Sequence, residues 1–225
     1  VKTTKMTMFR GLLAASLALP LLSAAGPTSA LASGPRVQAP VAKAIEALPV
    51  AAESRAGYQR SKFRHWIDAD HDGCNTRAEV LIEEAVVPPS VSSGCRLSGG
   101  KWHSYYDEAD TTNARGLDID HLVPLAEAWD SGASGWDAKK RERYANDLEW
   151  SRSLVAVTAR ENRQKSDQDP STWWVPAKSA SCQYLTDWVG VKTRWRLSVD
   201  RAELTALRQR AADCPNARVD VPLAD

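Results

Sequence analysis

No Cys-x-x-Cys pair, no apolar run long enough to cross a bilayer, no internal repeat and no low-complexity tract occur in these 225 residues. Charge is almost balanced, with 29 basic and 28 acidic side chains and a formal net charge of +1. The missing cysteine pairs argue against a zinc site. The missing span argues against a membrane anchor, which needs about 20 apolar residues. Without a charge excess there is no globally basic surface, so any attraction to a polyanion must be local. Nothing places two carboxylates as a glycoside hydrolase needs them, and the nine tryptophans are expected mainly to fill the core.

What is present begins with an export signal. Lys2, Lys5 and Arg10 form a positive start, residues 11–22 an apolar stretch broken by Pro20, and Ala30-Leu31-Ala32 a small-x-small cleavage site. Segment 1–32 is therefore expected to be removed, leaving a secreted protein without membrane association. Subtracting its three positive residues, which no acidic residue offsets, takes the formal charge from +1 to −2. Export also sets the redox compartment. Cys74, Cys95, Cys182 and Cys214 are even in number and twenty residues or more apart, the pattern of two disulfides. Three connectivities are possible, and the sequential one, Cys74 to Cys95 and Cys182 to Cys214, is the expectation. The length suits one domain able to bury its core as a monomer. It is placed at residues 57–215, between a flexible arm at 33–56, whose weak helical pattern at 41–48 has little to pack on, and a tail at 216–225.

Tyr58, Phe63, Trp66 and Ile67 recur at mixed helical spacing, and residues 78–85 resume a helix that Pro88-Pro89 ends, so two short helices are expected around an Asp-rich loop. Gly99-Gly100 predicts a turn into a strand over 101–106, and Leu117-Asp118-Ile119-Asp120 alternates like a strand that delivers His121. Helical character follows at 126–129 and 138–148. Leu154-Val155-Ala156-Val157-Thr158 is the clearest strand, and 159–166 begins a helix that must stop before Pro170. A helical pair closes the chain, at 182–195 and from Asp200, whose partner Glu203 three residues on makes an Asp-led relative of the capping box. This order predicts the α+β class.

Two segments carry chemistry. The first is Asp118-Ile119-Asp120-His121-Leu122-Val123-Pro124 and the second Asn162-Arg163-Gln164-Lys165-Ser166-Asp167. Metal-assisted phosphodiester hydrolysis needs a base for water and positive charge for the phosphate and leaving oxygen. A histidine suits the first task. In extended chain Asp120 and His121 point in opposite directions, one toward a metal and the other toward the attacking water. Asn162 offers a neutral, hard amide oxygen, fitting Mg²⁺ or Mn²⁺. Arg160, Arg163 and Lys165 lie within about one helical turn of it and are candidate phosphate contacts, and Arg141 with Arg143 forms a second basic patch.

In this order, and with Ala126-Glu127-Ala128-Trp129 after the first segment and Asp169-Pro170 and Trp173-Trp174 after the second, the chain resembles the HNH, or His-Me finger, endonucleases. Within them it is similar to a secreted bacterial family that shares a nuclease module with the GmrSD-type restriction enzymes. The likeness to secreted members extends from about Tyr58 to Cys214 and includes Asp72-Gly73-Cys74-Asn75-Thr76-Arg77, Gly100-Lys101-Trp102 and Tyr144-Ala145-Asn146-Asp147. It implies a ββα-metal core with surrounding helices, His121 as general base, Asp120 and Asn162 as metal ligands, Asp118 as a supporting residue, and a nucleic-acid substrate, DNA; low sequence selectivity is expected because no recognition domain is evident in the sequence. One departure stands out. The middle Asn of the HNH motif, which orients the histidine loop, is replaced here by Ser153, and Asn146 is a candidate to take over that bracing.

A different class is carried by Asp68-Ala69-Asp70-His71-Asp72-Gly73 with Glu79, which matches an EF-hand calcium loop and would make the chain an extracellular Ca²⁺-binding module through Asp68, Asp70, Asp72 and Glu79. Asn75 stands where such loops carry an apolar residue, and no partner hand exists. His65, His71 and His103 read as structural or solvent-facing.

Overall fold

The structure, a computed structural model, describes residues 34–225 together with Val1 and Thr3. The apolar stretch and cleavage site of the expected export signal lie outside the described residues. The chain opens with β1 (Arg36–Pro40), α1 (Val41–Glu46), α2 (Thr76–Glu83), β2 (Ser90–Ser92), β3 (Arg96–Ser98), β4 (Trp102–Ser104) and β5 (Ala109–Thr111). The central portion is β6 (Leu117–His121), α3 (Leu125–Asp130), α4 (Ala138–Ala145), β7 (Leu154–Thr158) and α5 (Ala159–Lys165). It closes with α6 (Ser181–Trp195), α7 (Arg201–Ala212) and β8 (Arg218–Pro222). Helices and small sheets are thus mixed, as the α+β class requires. The strands pair antiparallel as β1–β8, β2–β3, β4–β5 and β6–β7.

The β6–β7 pair divides two cores. Alternation along β6 and β7 sends Leu117, Ile119, Leu154 and Ala156 to a small cluster with Val80, Leu81 and Trp102, and sends Val155 and Val157 to the main one, which holds Tyr106, Trp129, Tyr144, Tyr184 and Trp188. In register, Asp120 stands opposite Val155 and His121 opposite Leu154. Helix α5 follows β7 without a connecting residue because the hydroxyl of Thr158 accepts the Glu161 amide at 3.4 Å, capping the first turn. Asp200 caps α7 in the same way, accepting the Glu203 amide at 2.7 Å. The Glu203 carboxylate does not return the bond, being buried against Trp188 and Lys192. The disulfides are Cys74–Cys95 and Cys182–Cys214, the sequential pairing, and the second joins the start of α6 to the segment after α7.

Three expectations are corrected. Residues 36–46 are not a loose arm: they form β1 and α1, with Val41, Ala44 and Ile45 buried. Residues 218–222 are not a tail, because β8 pairs with β1 and buries Val219 and Val221. Each segment supplies the apolar surface the other lacked. Residues 58–67 form no α-helix, only a 3-10 turn at Arg60–Lys62. Their aromatics pack from extended chain instead, Tyr58 and Phe63 against Trp129 and Trp66 against His121. The Asp-rich loop is therefore followed by a helix, α2, but not preceded by one.

Candidate functional site

Strand β6 presents Asp118 and Asp120 to the face on which α5 lies. Residues two apart on a strand share a face, as do residues three apart on a helix, and here Asn162 meets Asp118 and Lys165 meets Asp120. Asn162 Nδ2 donates to Asp118 Oδ2 at 3.3 Å. Lys165 Nζ lies 3.1 Å from Asp120 Oδ1 and 2.8 Å from Oδ2, and donates to the His121 carbonyl at 3.2 Å. The Tyr106 hydroxyl completes the set, donating to Asp120 Oδ2 at 2.6 Å. The Asp120 set is buried, Asp120 being 4% exposed and Lys165 0%, whereas the Asp118–Asn162 pair is half-buried. Burial pushes the Asp120 carboxyl up and the Lys165 ammonium down, against the pull of their own pairing.

His121 points the other way, as its neighbour in the strand must. Its ring lies between Trp66, with centroids 5.4 Å apart, and Tyr144, stacked at 6.5 Å, with the edge of His65 at 6.2 Å. Its Nε2 is 2.9 Å from the Ala145 carbonyl. A carbonyl only accepts, so Nε2 carries the proton and Nδ1 holds a bare lone pair. Burial pushes the imidazole down to about 3, helped by the nearby Arg60 charge and opposed by the Ala145 carbonyl. The ring is thus neutral, with a defined tautomer.

Asp120, His121, Asn162 and Arg163 line one open cleft of about 300 Å³, together with Arg60, Pro124, Ser166 and Asp167. The three residues expected at the heart of the site therefore share a wall. The basic residues divide. Arg163 is exposed beside the cleft, 3.5 Å from Asp118. Arg160 is held by Asp107 and Glu161 at 3.3 and 2.8 Å. Lys165 is corrected from phosphate contact to buried partner of Asp120, because its ammonium is sealed from any polyanion.

Ser153 does not reach His121. Its hydroxyl donates to Asp147 at 2.6 Å, while its carbonyl accepts the Leu122 amide at 3.1 Å and so fixes the chain just after the histidine. Asn146 makes no hydrogen bond to the ring either. It ties residues 64–67 to α4, accepting from Ile67 N and Thr76 Oγ1 and donating to the Arg64 and Glu142 carbonyls. The brace on the imidazole is instead the main-chain carbonyl of Ala145, which sequence reading misses because a carbonyl has no letter. Arg60, Tyr106 and Trp66 were missed as well, and only the basic string Arg60, Lys62, Arg64 within an aromatic stretch hinted at the first.

In the Asp-rich loop, carboxylate oxygens of Asp68, Asp70 and Asp72 lie within 4.8 Å of one another, and Glu79 groups with Asp72 and Cys74, whose sulfur is already in a disulfide. Asp68 Oδ2 accepts the Gly73 amide at 3.1 Å, whereas its Oδ1 is sealed from solvent with no partner among the described residues. Burial and the charges of Asp72, Asp70 and Asp68 hold the Glu79 carboxyl above its usual range.

Residues 89–210, which contain both chemical segments, match the family model described as the C-terminal domain of GmrSD restriction endonucleases. The chain belongs to this family. An uncharacterized secreted protein of the fungus Arthroderma benhamiae is 42% identical over 158 residues, 70% of this chain and 76% of the relative, so the likeness is not confined to bacteria. No solved structure matches. The GmrSD C-terminal family is a nuclease family, and this member, with a secreted relative and two disulfides, is a secreted protein.

Proposed function

We propose that the chain is a secreted endonuclease of the His-Me finger type, in which β6, β7 and α5 form the ββα-metal core and phosphodiester bonds of DNA are hydrolysed with low sequence selectivity. The observation that carries this reading is the His121 imidazole, whose Nε2 is committed to the Ala145 carbonyl and whose Nδ1 is left as a base at a cleft shared with Asp120 and Asn162. Water gives a proton to Nδ1 as its oxygen attacks phosphorus. The P–O bond to the leaving sugar oxygen then breaks, and that oxygen takes a proton from solvent.

The donor set fits Mg²⁺ or Mn²⁺, since it consists of carboxylate and amide oxygens. Asn162 turns its Nδ2 to Asp118, so its Oδ1 is the atom available to an ion. Asp120 is fixed by Tyr106 and Lys165 and keeps further lone pairs. A divalent cation bound there supplies positive charge to the phosphate and the leaving oxygen. Following removal of residues 1–32, this activity is assigned to the fold that runs from β1 to β8, residues 36–222.

Plasmid DNA incubated with the pure protein is expected to be nicked and linearised with Mg²⁺ and left intact with EDTA; metal-independent cutting, or none, contradicts the reading. Arg60 forms no ion pair among the described residues and lines the cleft beside His121, which suits it to the scissile phosphate. A charge-assisted hydrogen bond contributes ~1.5–3 kcal/mol, so Arg60→Ala is expected to lower kcat/KM by about 10- to 100-fold. Arg160→Ala, whose guanidinium is already paired, serves as the control with little effect. Equal losses in both would remove Arg60 from the site.

A second reading adds calcium at Asp68, Asp70, Asp72 and Glu79, favoured by the sealed, partnerless Asp68 Oδ1. It is set aside if millimolar Ca²⁺ produces no rise in melting temperature that Asp70→Asn/Asp72→Asn removes.

A further inference from the structure

Away from the cleft, five carboxylates converge from four parts of the chain. Oxygens of Glu53, Glu127 and Asp130 lie within 4.8 Å of one another, as do those of Glu53, Asp169 and Glu203, with Glu53 common to both groups. Two cations face them. Lys192 binds Glu127 Oε1 at 2.6 Å and Glu203 Oε2 at 3.0 Å, and Arg55 Nε donates to Asp130 Oδ2 at 2.6 Å. Five carboxyl groups thus share two cationic partners, an imbalance that a divalent ion would offset.

The hydrogen bonds are distributed unevenly over these carboxylates. Every bond to Glu127 falls on Oε1, from Ser131 and Lys192. Among the described residues, every bond to the Asp169 carboxylate falls on Oδ1, from Ser171 and Thr172. Glu53 receives none among the described residues. Asp130 adds an independent sign: its side chain is only 5% exposed, and its Oδ1 is buried without a partner among the described residues. A sealed carboxylate oxygen with nothing to accept from is costly unless something positive meets it.

We propose that Glu53, Glu127 and Asp130 hold a calcium ion at a site distinct from both the cleft and the Asp-rich loop. The ligands are all hard oxygens, without nitrogen or sulfur, and several carboxylates with flexible geometry suit Ca²⁺ better than Mg²⁺. A secreted protein meets calcium at millimolar levels. The ion would tie the segment before the Arg60 turn to α3, which begins four residues after His121 and whose first residue, Leu125, lines the cleft.

The test is a calorimetric titration of the full chain with CaCl₂, in an Asp70→Asn/Asp72→Asn background that silences the loop. Adding Glu53→Gln, an exposed position, is expected to remove one equivalent of bound Ca²⁺ or weaken it at least about tenfold, and to abolish the matching rise in melting temperature. Asp130→Asn is expected to do the same. A background protein that binds no Ca²⁺, or binds it unchanged after Glu53→Gln and Asp130→Asn, overturns the proposal.

Discussion

His121→Ala is expected to lower the rate of plasmid cleavage by about 10²- to 10⁴-fold, the usual contribution of a positioned general base, with little change in KM because the ring is not assigned a phosphate contact. The substitution removes a neutral imidazole from between Trp66 and Tyr144, leaving a space shaped for the missing ring. Free imidazole is therefore expected to restore part of the activity to His121→Ala and none to Asn162→Ala. A circular-dichroism melt separates loss of base from loss of fold. Undiminished cutting by a folded His121→Ala protein would remove the histidine from the chemistry.

The largest stability effect is expected at Lys192. Its ammonium is wholly buried and binds Glu127, Glu203, the Ser131 hydroxyl and the Ser198 carbonyl. Burial alone would lower its pKa, but Glu203 and Glu127 outweigh this and hold it above the usual lysine range. Removing one partner from a buried charge cluster costs about 3–5 kcal/mol, and Lys192→Ala strands two carboxylates. The penalty depends on pH. Burial already raises Glu203 to about 7, with Lys192 pulling the other way, and without the lysine it rises further. A carboxyl whose pKa is higher folded than unfolded contributes stability that is complete below about 4.5 and is lost as pH climbs through the folded value. Lys192→Ala is thus expected to melt well below wild type at pH 7.5 and to recover part of the difference at pH 5, as measured by calorimetry. A variant equally stable at both would show that the cluster is not ionised as described.

Why these effects centre on residues of such different legibility follows from what a sequence encodes locally. The bounds of β7 and α5 are readable because alternation, the Thr158 cap and Pro170 all act within a few residues, and Asp120, His121 and Asn162 are readable because side-chain type and order carry their chemistry. The pairing of β1 with β8 is not readable, since each strand finds its apolar partner some 180 positions away. The aromatics of residues 58–67 mimic a helix because packing onto Trp129 and His121 needs rings and not any particular period. Lys165 was read as a phosphate ligand because a letter reports charge and not burial. The brace on His121 is the Ala145 main-chain carbonyl, which no side-chain type announces.

The central claim, that one divalent ion is shared by Asp120 and Asn162 with His121 beside it, is tested most directly by anomalous scattering from a crystal of the protein soaked in Mn²⁺. The account predicts a peak bonded to a carboxylate oxygen of Asp120 and to Asn162 Oδ1 at roughly 2.0–2.4 Å, with water completing the shell toward His121 Nδ1. A cleft without a peak, with Asp120 still closed over by Lys165 and Tyr106 at saturating Mn²⁺, would contradict it.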